Sequence, residues 1–190
     1  MTATPFSIPA ASVALVVIDM QRIFQEPSSQ WLVSNYDQAA EQVARLRTKF
    51  DGAIWTRFVR DAQEQGAWQG YYDRWDRCRE APGSPRWNLT LEPRPEDRIL
   101  SLPTFSKWGL QLSELTSGSE HLVIAGVATD CCVLATVLGA VDAGKHVTVV
   151  SDACAGATSV AHERALELME MLNPMVQIVT VEQVDGLLQA

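Results

Sequence analysis

The sequence predicts a doubly wound α/β fold, Rossmann-like, with a mainly parallel six-stranded sheet in the order 3-2-1-4-5-6 and helices on both faces. Three observations predict it. Short apolar, β-branched runs alternate with longer segments whose apolar residues recur at helical spacing. Runs such as LVVI and LVIAGV are apolar on both faces, as strands buried between two helix layers must be. Strand–helix–strand units cross over right-handed, which sets the first and fourth strands side by side at the switch point.

The expected strands are residues 13–18 (VALVVI), 53–58 (AIWTRF), 98–101 (RILS), 122–127 (LVIAGV), 146–151 (HVTVVS) and 176–181 (VQIVTV). The expected helices are residues 37–50, with Val43, Leu46 and Phe50 on one face, then 110–117, 132–143, 160–172 and 182 to the end. Gly144 and Pro174 read as helix-stop and breaker signals. The 190 residues read as a single domain (1–190), and 47% hydrophobic residues are enough for one core.

Residues 61–95 break the alternation. This insertion carries Trp68, Tyr71, Tyr72, Trp75 and Trp87, together with Arg74, Arg77, Arg79, Arg86 and four prolines. A connection of that length and composition reads equally as a substrate lid, as an aromatic loop packed on its own body, or as a subunit interface.

Fifteen basic against twenty-three acidic residues give a net charge of −8. That disfavours nucleic acid or an anionic membrane as partner, since both select a basic face. The first twelve residues have no basic n-region and no apolar stretch of signal-peptide length, and the longest apolar runs are far short of a membrane span. Four cysteines, two of them adjacent, do not make a disulfide scaffold. A reduced cytoplasmic protein acting on a small molecule is the expectation.

Two segments carry chemistry. The first strand runs into Asp19, a carboxylate at the carboxyl edge of a central strand, where open α/β sheets bind their ligands. The same residue type also serves as a helix cap or an arginine partner. The fourth strand runs into Gly126-Val127-Ala128-Thr129-Asp130-Cys131-Cys132, so Thr129 or Asp130 caps the next helix and a cysteine falls in its first turn. Free N–H groups and the helix dipole there favour thiolate over thiol and can hold an oxyanion. Against this, cysteines are commonly inert buried hydrophobes, a reading that suits Cys131 and Cys154 better than Cys132. His121 and His146 open strands, at the wrong edge of a parallel sheet, and His162 is a weak base candidate. An aspartate base with a nearby lysine fits the residues better than a Cys-His pair.

These motifs, VVIDMQ (16–21), WTRF (55–58), TFSKW (104–108), GVATDCCVLAT (126–136) and VVSDACAG (149–156), occur in an order that resembles the isochorismatase-like cysteine hydrolases. The resemblance implies an Asp–Lys–Cys triad, with the aspartate at Asp19 and the nucleophile at Cys132, two places after the Asp of A-T-D, leaving Cys131 at a variable position. It also implies a cis peptide between Val127 and Ala128 that turns the N–H groups of Ala128 and Cys132 toward an oxyanion, and association into homodimers or larger homo-oligomers. The lysine departs from the pattern. Leu102 stands in the family's lysine position, and of Lys49, Lys107 and Lys145 only Lys107 is near enough in sequence to replace it.

Arg57 is a further candidate cation, either for a substrate carboxylate or in a structural pair; Trp68, Tyr72 and Trp75 are candidate substrate contacts. The Asp-x-His…His cluster with which nicotinamidase-type relatives hold a divalent ion has no counterpart in Thr56-Arg57-Phe58-Val59-Arg60-Asp61, so no metal is expected. No glycine-rich phosphate loop follows the first strand, so no nucleotide cofactor is expected either. The expected activity is metal-independent hydrolysis of a small amide or related C–N bond through a thioester. The alternatives are vinyl ether hydrolysis of the isochorismatase type and, on account of Leu102, a catalytically weakened binding relative.

Overall fold

The computed structural model describes residues 13–188; residues 1–12, on which the expectation of no signal peptide falls, and the last two positions of the expected C-terminal helix lie outside that range. The strands are β1 (Val13–Ile18), β2 (Ala53–Phe58), β3 (Arg98–Leu102), β4 (His121–Val127), β5 (His146–Ala155) and β6 (Val176–Val179). They form one sheet in the order β3-β2-β1-β4-β5-β6, as the sequence predicts. Every neighbouring pair is parallel. The helices are α1 (Arg22–Gln25), α2 (Tyr36–Arg47), α3 (Ala67–Arg74), α4 (Leu110–Leu115), α5 (Leu134–Asp142), α6 (Ser159–Glu170) and α7 (Val181–Leu188). Among the described residues no helix is long and apolar enough to cross a membrane.

The two-fold period of β1 divides the interior into two cores. Leu15 and Val17 join Val43 and Leu46 of α2 and Trp55 of β2 on one face. Val16 and Ile18 join Leu112 of α4, Val137 of α5 and Met169 of α6 on the other. Burying each such side chain contributes about 1.5–3 kcal/mol, so a run that is apolar on both faces is stable only in the middle of this sheet.

β1 and β4 run so close at their carboxyl ends that only glycine fits. Ile18 is in register with Gly126. Gly126 has a φ of +114°, and a Cβ there would collide with the Ile18 carbonyl. This approach brings the residues after Ile18 and after Gly126 to one place.

α1 and α3 are not among the expected helices, and several bounds shift by one to three residues; three further departures have a tertiary cause. β5 continues to Ala155 because a register shift between Ile124 and Gly126 lets β4 pair again, Gly126 with Cys154 and Val127 with Ala155; a bulge of this kind has no sequence signature in SDACA. β6 ends at Val179, since Val181 already opens α7 with its N–H on Asp152 Oδ1, 2.8 Å away. The helix after β4 begins as a π-turn over Thr129–Val133, and neither Thr129 nor Asp130 caps it. Asp130 Oδ1 instead accepts from the Ala157 N–H at 2.9 Å, and Thr129 Oγ1 pairs with His162 Nδ1 at 2.8 Å.

The insertion packs on its own body. Trp87 is buried and its indole donates to the Ala81 carbonyl at 2.8 Å. The buried Gln21 amide fastens the insertion to the sheet. It accepts from Phe58 N–H (2.8 Å) and donates to the carbonyls of Phe58 (3.0 Å) and Trp87 (2.6 Å). Arg86 holds Glu26 and Glu80 at 2.9 Å each.

Candidate active site

Asp19 follows the last residue of β1 directly and takes a φ of +47°, a region that aspartate tolerates better than most side chains. It is fully buried. Its Oδ1 accepts a 2.6 Å hydrogen bond from the Thr56 hydroxyl, and its N–H donates back to the same oxygen at 3.2 Å. Thr56 stands on β2 and is itself fully buried, so the carboxyl plane is held from the neighbouring strand.

The ammonium of Lys107 lies 2.9 Å from Asp19 Oδ2, with both side chains at 0% exposure. The approach is an ion pair without hydrogen-bond alignment, and Oδ2 has no hydrogen-bond partner. Lys107 also donates to the Thr104 carbonyl at 2.7 Å and sits 4.9 Å over the Phe58 ring. The lysine five residues past Leu102 thus reaches the aspartate that the family resemblance pairs with position 102. Leu102 is half-buried beside Lys107 and Trp108 on a separate shallow cavity. The other two lysines are engaged elsewhere, Lys49 with Asp185 and Lys145 with the carbonyls of Thr116 and Ser119.

Cys132 is 3% exposed, in the π-turn. The Ala128 carbonyl accepts from the N–H groups of Cys131 (3.0 Å) and Val133 (3.1 Å), the residues on either side of it. The peptide between Val127 and Ala128 is cis. Thr136, one turn on and fully buried, donates to the Cys132 carbonyl at 2.6 Å while its oxygen accepts from the Lys107 N–H at 2.9 Å. One hydroxyl therefore ties the backbone of the lysine loop to the backbone of the cysteine.

The resting thiol does not follow the helix-start expectation. A hydrogen bond with Cys131, complete burial and the Asp19 carboxylate push the Cys132 thiol well above its ordinary range, with Lys107 opposing. Its neighbour Cys131 is half-buried and is shifted down, chiefly by its hydrogen bond with Cys132. The dipole of one helical turn is weaker than desolvation beside a negative charge. The site thus sets a buried sulfur in the electrostatic field of the Asp19 carboxylate and its Lys107 partner.

A cavity of about 370 Å³ opens on Cys132, Cys131 and Ala128, with Phe24, Trp31, Phe58, Tyr71, Trp75 and Phe105 on its walls. Of the expected substrate contacts, Trp75 lines it. Trp68 and Tyr72 instead line a separate hollow with Asp61, Glu64 and Thr104. They are displaced because Tyr72 is buried in the ring cluster, 5.9 Å from Trp31, and Trp68 packs 4.9 Å from Phe105 on the far side of that wall. Arg57 lines neither space; its Nε donates to Ser101 across β3 at 3.0 Å. Side chains at positions 56 and 58 face the site, and the strand's alternation turns 57 away. Thr56 and Thr136 lie within WTRF and GVATDCCVLAT but carry no catalytic signal of their own, and Tyr71 stands out only as one of the insertion's rings. Among the described residues no group of three histidine, cysteine, aspartate or glutamate side chains is placed to hold a metal ion.

An isochorismatase domain family model matches residues 13–183. The ureidoacrylate amidohydrolase RutB of Stutzerimonas stutzeri (strain A1501) is 24% identical over 168 residues, which span 70% of this chain and 65% of that protein. A cysteine hydrolase from Pseudomonas syringae pv. phaseolicola 1448A superposes with a TM-score of 0.82 at 21% identity, covering 96% of each chain. The pyrazinamidase of Pyrococcus horikoshii, solved with zinc, gives a TM-score of 0.70 at 27% identity over 89% of this chain and 99% of its own. Among the described residues the donor set does not fit such an ion.

Proposed function

The chain belongs to the isochorismatase family, and from that premise we propose that it is a metal-independent cysteine hydrolase that cleaves a small amide or related C–N bond. The observation that carries the reading is the fully buried pair of Lys107 and Asp19, whose carboxylate and ammonium both act electrostatically on the Cys132 sulfur. The amidohydrolase and pyrazinamidase relatives support the bond class.

Asp19 Oδ2 takes the proton from Cys132 Sγ as the sulfur bonds to the substrate carbonyl carbon. The carbonyl oxygen becomes an oxyanion, held by the N–H groups of Ala128 and Cys132. On collapse the C–N bond breaks, the nitrogen receives the proton from Asp19, and the amine or ammonia leaves a thioester. Water then gives a proton to Asp19 as it attacks the thioester. The C–S bond breaks, the acid departs, and the sulfur regains its proton. Lys107 keeps Asp19 in place and offsets the negative charge that moves between carboxylate and sulfur. Thr56 fixes the carboxyl plane and Thr136 fixes the spacing of Lys107 and Cys132.

Cys132→Ala is expected to lower turnover of a responsive amide by roughly a thousandfold or more and to abolish trapping of a covalent adduct, read by intact-protein mass. Cys131→Ala is expected to keep most of both. Equal losses in the two variants would remove Cys132 as nucleophile. The vinyl ether alternative makes no use of a sulfur placed at the cavity floor. The weakened-relative alternative loses its motive if Lys107 stands in for the lysine absent at position 102.

A further inference from the structure

The geometry points to Cys131 as a modification site: a hydroperoxide that enters the cavity oxidises its sulfur, and Cys132 closes on it to give a disulfide between the two neighbouring residues. The pairing stands on the placement of the two sulfurs and not on the amide-hydrolase reading. Only the consequence rests on that reading, namely that hydrolysis stops while the bond lasts.

The two cysteines are adjacent in the chain and line the same cavity. Cys132 is almost wholly buried, whereas Cys131 is half-buried and is the more open of the two. Their shared hydrogen bond pulls Cys131 down and pushes Cys132 up, so the more accessible sulfur is also the one that gives up its proton first. Thiolate character together with access selects the sulfur that a peroxide attacks. The hydrolytic steps above use one sulfur and leave Cys131 idle. Neither of the other cysteines lines the cavity. Cys78 is fully buried, 3.7 Å from the Ser29 hydroxyl, and Cys154 is buried in β5 with its thiol pushed up to about 12.

In the first step an S–O bond forms at Cys131 as the O–O bond of the peroxide breaks. The hydroxide or alkoxide that departs takes the Cys131 proton and leaves as water or alcohol. The Cys132 sulfur then displaces hydroxide from the sulfenic acid. An S–S bond forms, the S–O bond breaks, and the Cys132 proton leaves with the hydroxide as water. The two thiols together lose two electrons, and one peroxide is reduced. Consecutive Cα atoms stand about 3.8 Å apart across a trans peptide, short of the roughly 4.4–6.8 Å that disulfides span. The peptide between the two cysteines must therefore turn to close the ring, and the strained bond is one that a free thiol readily reopens. Closure caps Cys132 before a second peroxide can take either sulfur to the irreversible sulfinic acid.

The test treats the protein with a small excess of hydrogen peroxide and quenches with catalase. The readouts are intact mass, peptide mapping without reductant, and turnover of a responsive amide before and after glutathione. The main product is expected to lose two hydrogens in mass, with the bond mapped to the peptide that holds both Cys131 and Cys132, and glutathione is expected to restore the starting mass and the turnover. Cys131→Ser and Cys131→Ala are expected to show no such loss of hydrogens. In both, Cys132 gains oxygens that glutathione does not remove, and the irreversibly inactivated fraction rises several-fold. Oxygen adducts alone in the unmodified protein, a bond between any other pair of cysteines, or the same loss of hydrogens in the Cys131 variants would overturn the inference. A Cys131–Cys132 bond that leaves turnover intact would uphold the modification site and remove Cys132 as nucleophile. No turnover of any amide by the untreated protein would defeat the hydrolase reading while the mass readout still decides the disulfide.

Discussion

Lys107 meets Asp19 from five residues beyond Leu102, the position at which the family resemblance expects a lysine. Leu102 is paired with Phe58 across β2 and β3, and the Lys107 ammonium lies over that same Phe58 ring. Lys107 comes to that ring by way of a loop whose backbone is tied to Thr136, whereas the Leu102 side chain packs on a separate cavity. Removing one partner of a fully buried ion pair strands the other charge at a cost of about 3–5 kcal/mol. Lys107→Met is accordingly expected to lower the urea midpoint by that equivalent and kcat/KM by roughly a hundredfold or more. Adding Leu102→Lys to it is expected to restore part of the activity, because a lysine there starts beside Phe58; a double variant no better than the single would show that position 102 no longer addresses Asp19. Lys107→Arg is not expected to substitute, since a planar guanidinium does not fit a slot closed to solvent. The lysine's candidacy was legible as an absence at 102 and one nearby alternative. Its ion pair was not, because loop conformation has no sequence period.

Among the elements, the strands were the most legible and the insertion the least. β1 and β2 keep the bounds that their apolar runs predict because burial on both faces allows no slack. β5 runs four residues longer than its apolar run, since the pairing beyond the bulge is set by β4 and not by the composition of β5 itself. The insertion's rings announced packing without saying against what. In the fold they do two things at once, closing the insertion onto the body and walling the cavity through Tyr71 and Trp75. Trp87 is the anchor of the first. Trp87→Ala is expected to cost about 3–5 kcal/mol, measured by urea denaturation. It is also expected to weaken substrate binding, because Gln21 couples the Trp87 carbonyl to Phe58 at the cavity wall. Unchanged stability would mean that the insertion is not integral to the core.

At the scale of the whole molecule, the ends of the sheet differ in chemistry. The carboxyl ends of β1 and β4 carry Asp19 and the Cys132 turn; the amino ends carry His121 and His146, stacked with ring centroids 6.1 Å apart. His121 is buried, with Nε2 2.7 Å from the Thr148 hydroxyl and Nδ1 without a partner. Burial, with the charge of His146 adding to it, pushes the imidazole down to about 4. In the unfolded chain the same group takes its proton near pH 6.5. The unfolded state therefore gains protons first as pH falls, so this contribution to stability is complete above pH 6.5 and declines until about pH 4. Its full size is at most roughly 3 kcal/mol. His162, shifted down by its own burial, acts in the same direction. Urea midpoints taken at pH 7.5 and 5 are expected to fall with acidification, and His121→Gln is expected to flatten part of that fall. A slope identical in the variant would place the effect elsewhere.

The sequence by itself determined the sheet order, the side-by-side placement of β1 and β4, and the two positions, Asp19 and Cys132, that follow their carboxyl ends. Hydrophobic period and topology are local or rule-bound properties that a linear string carries. The tertiary structure alone decided which lysine meets the aspartate, which aromatic rings face the cavity and which face away, and that burial and the Asp19 charge push the Cys132 thiol up. Each of those depends on the distance and solvent exposure of groups far apart in the chain, and neither quantity exists until the chain has closed on itself.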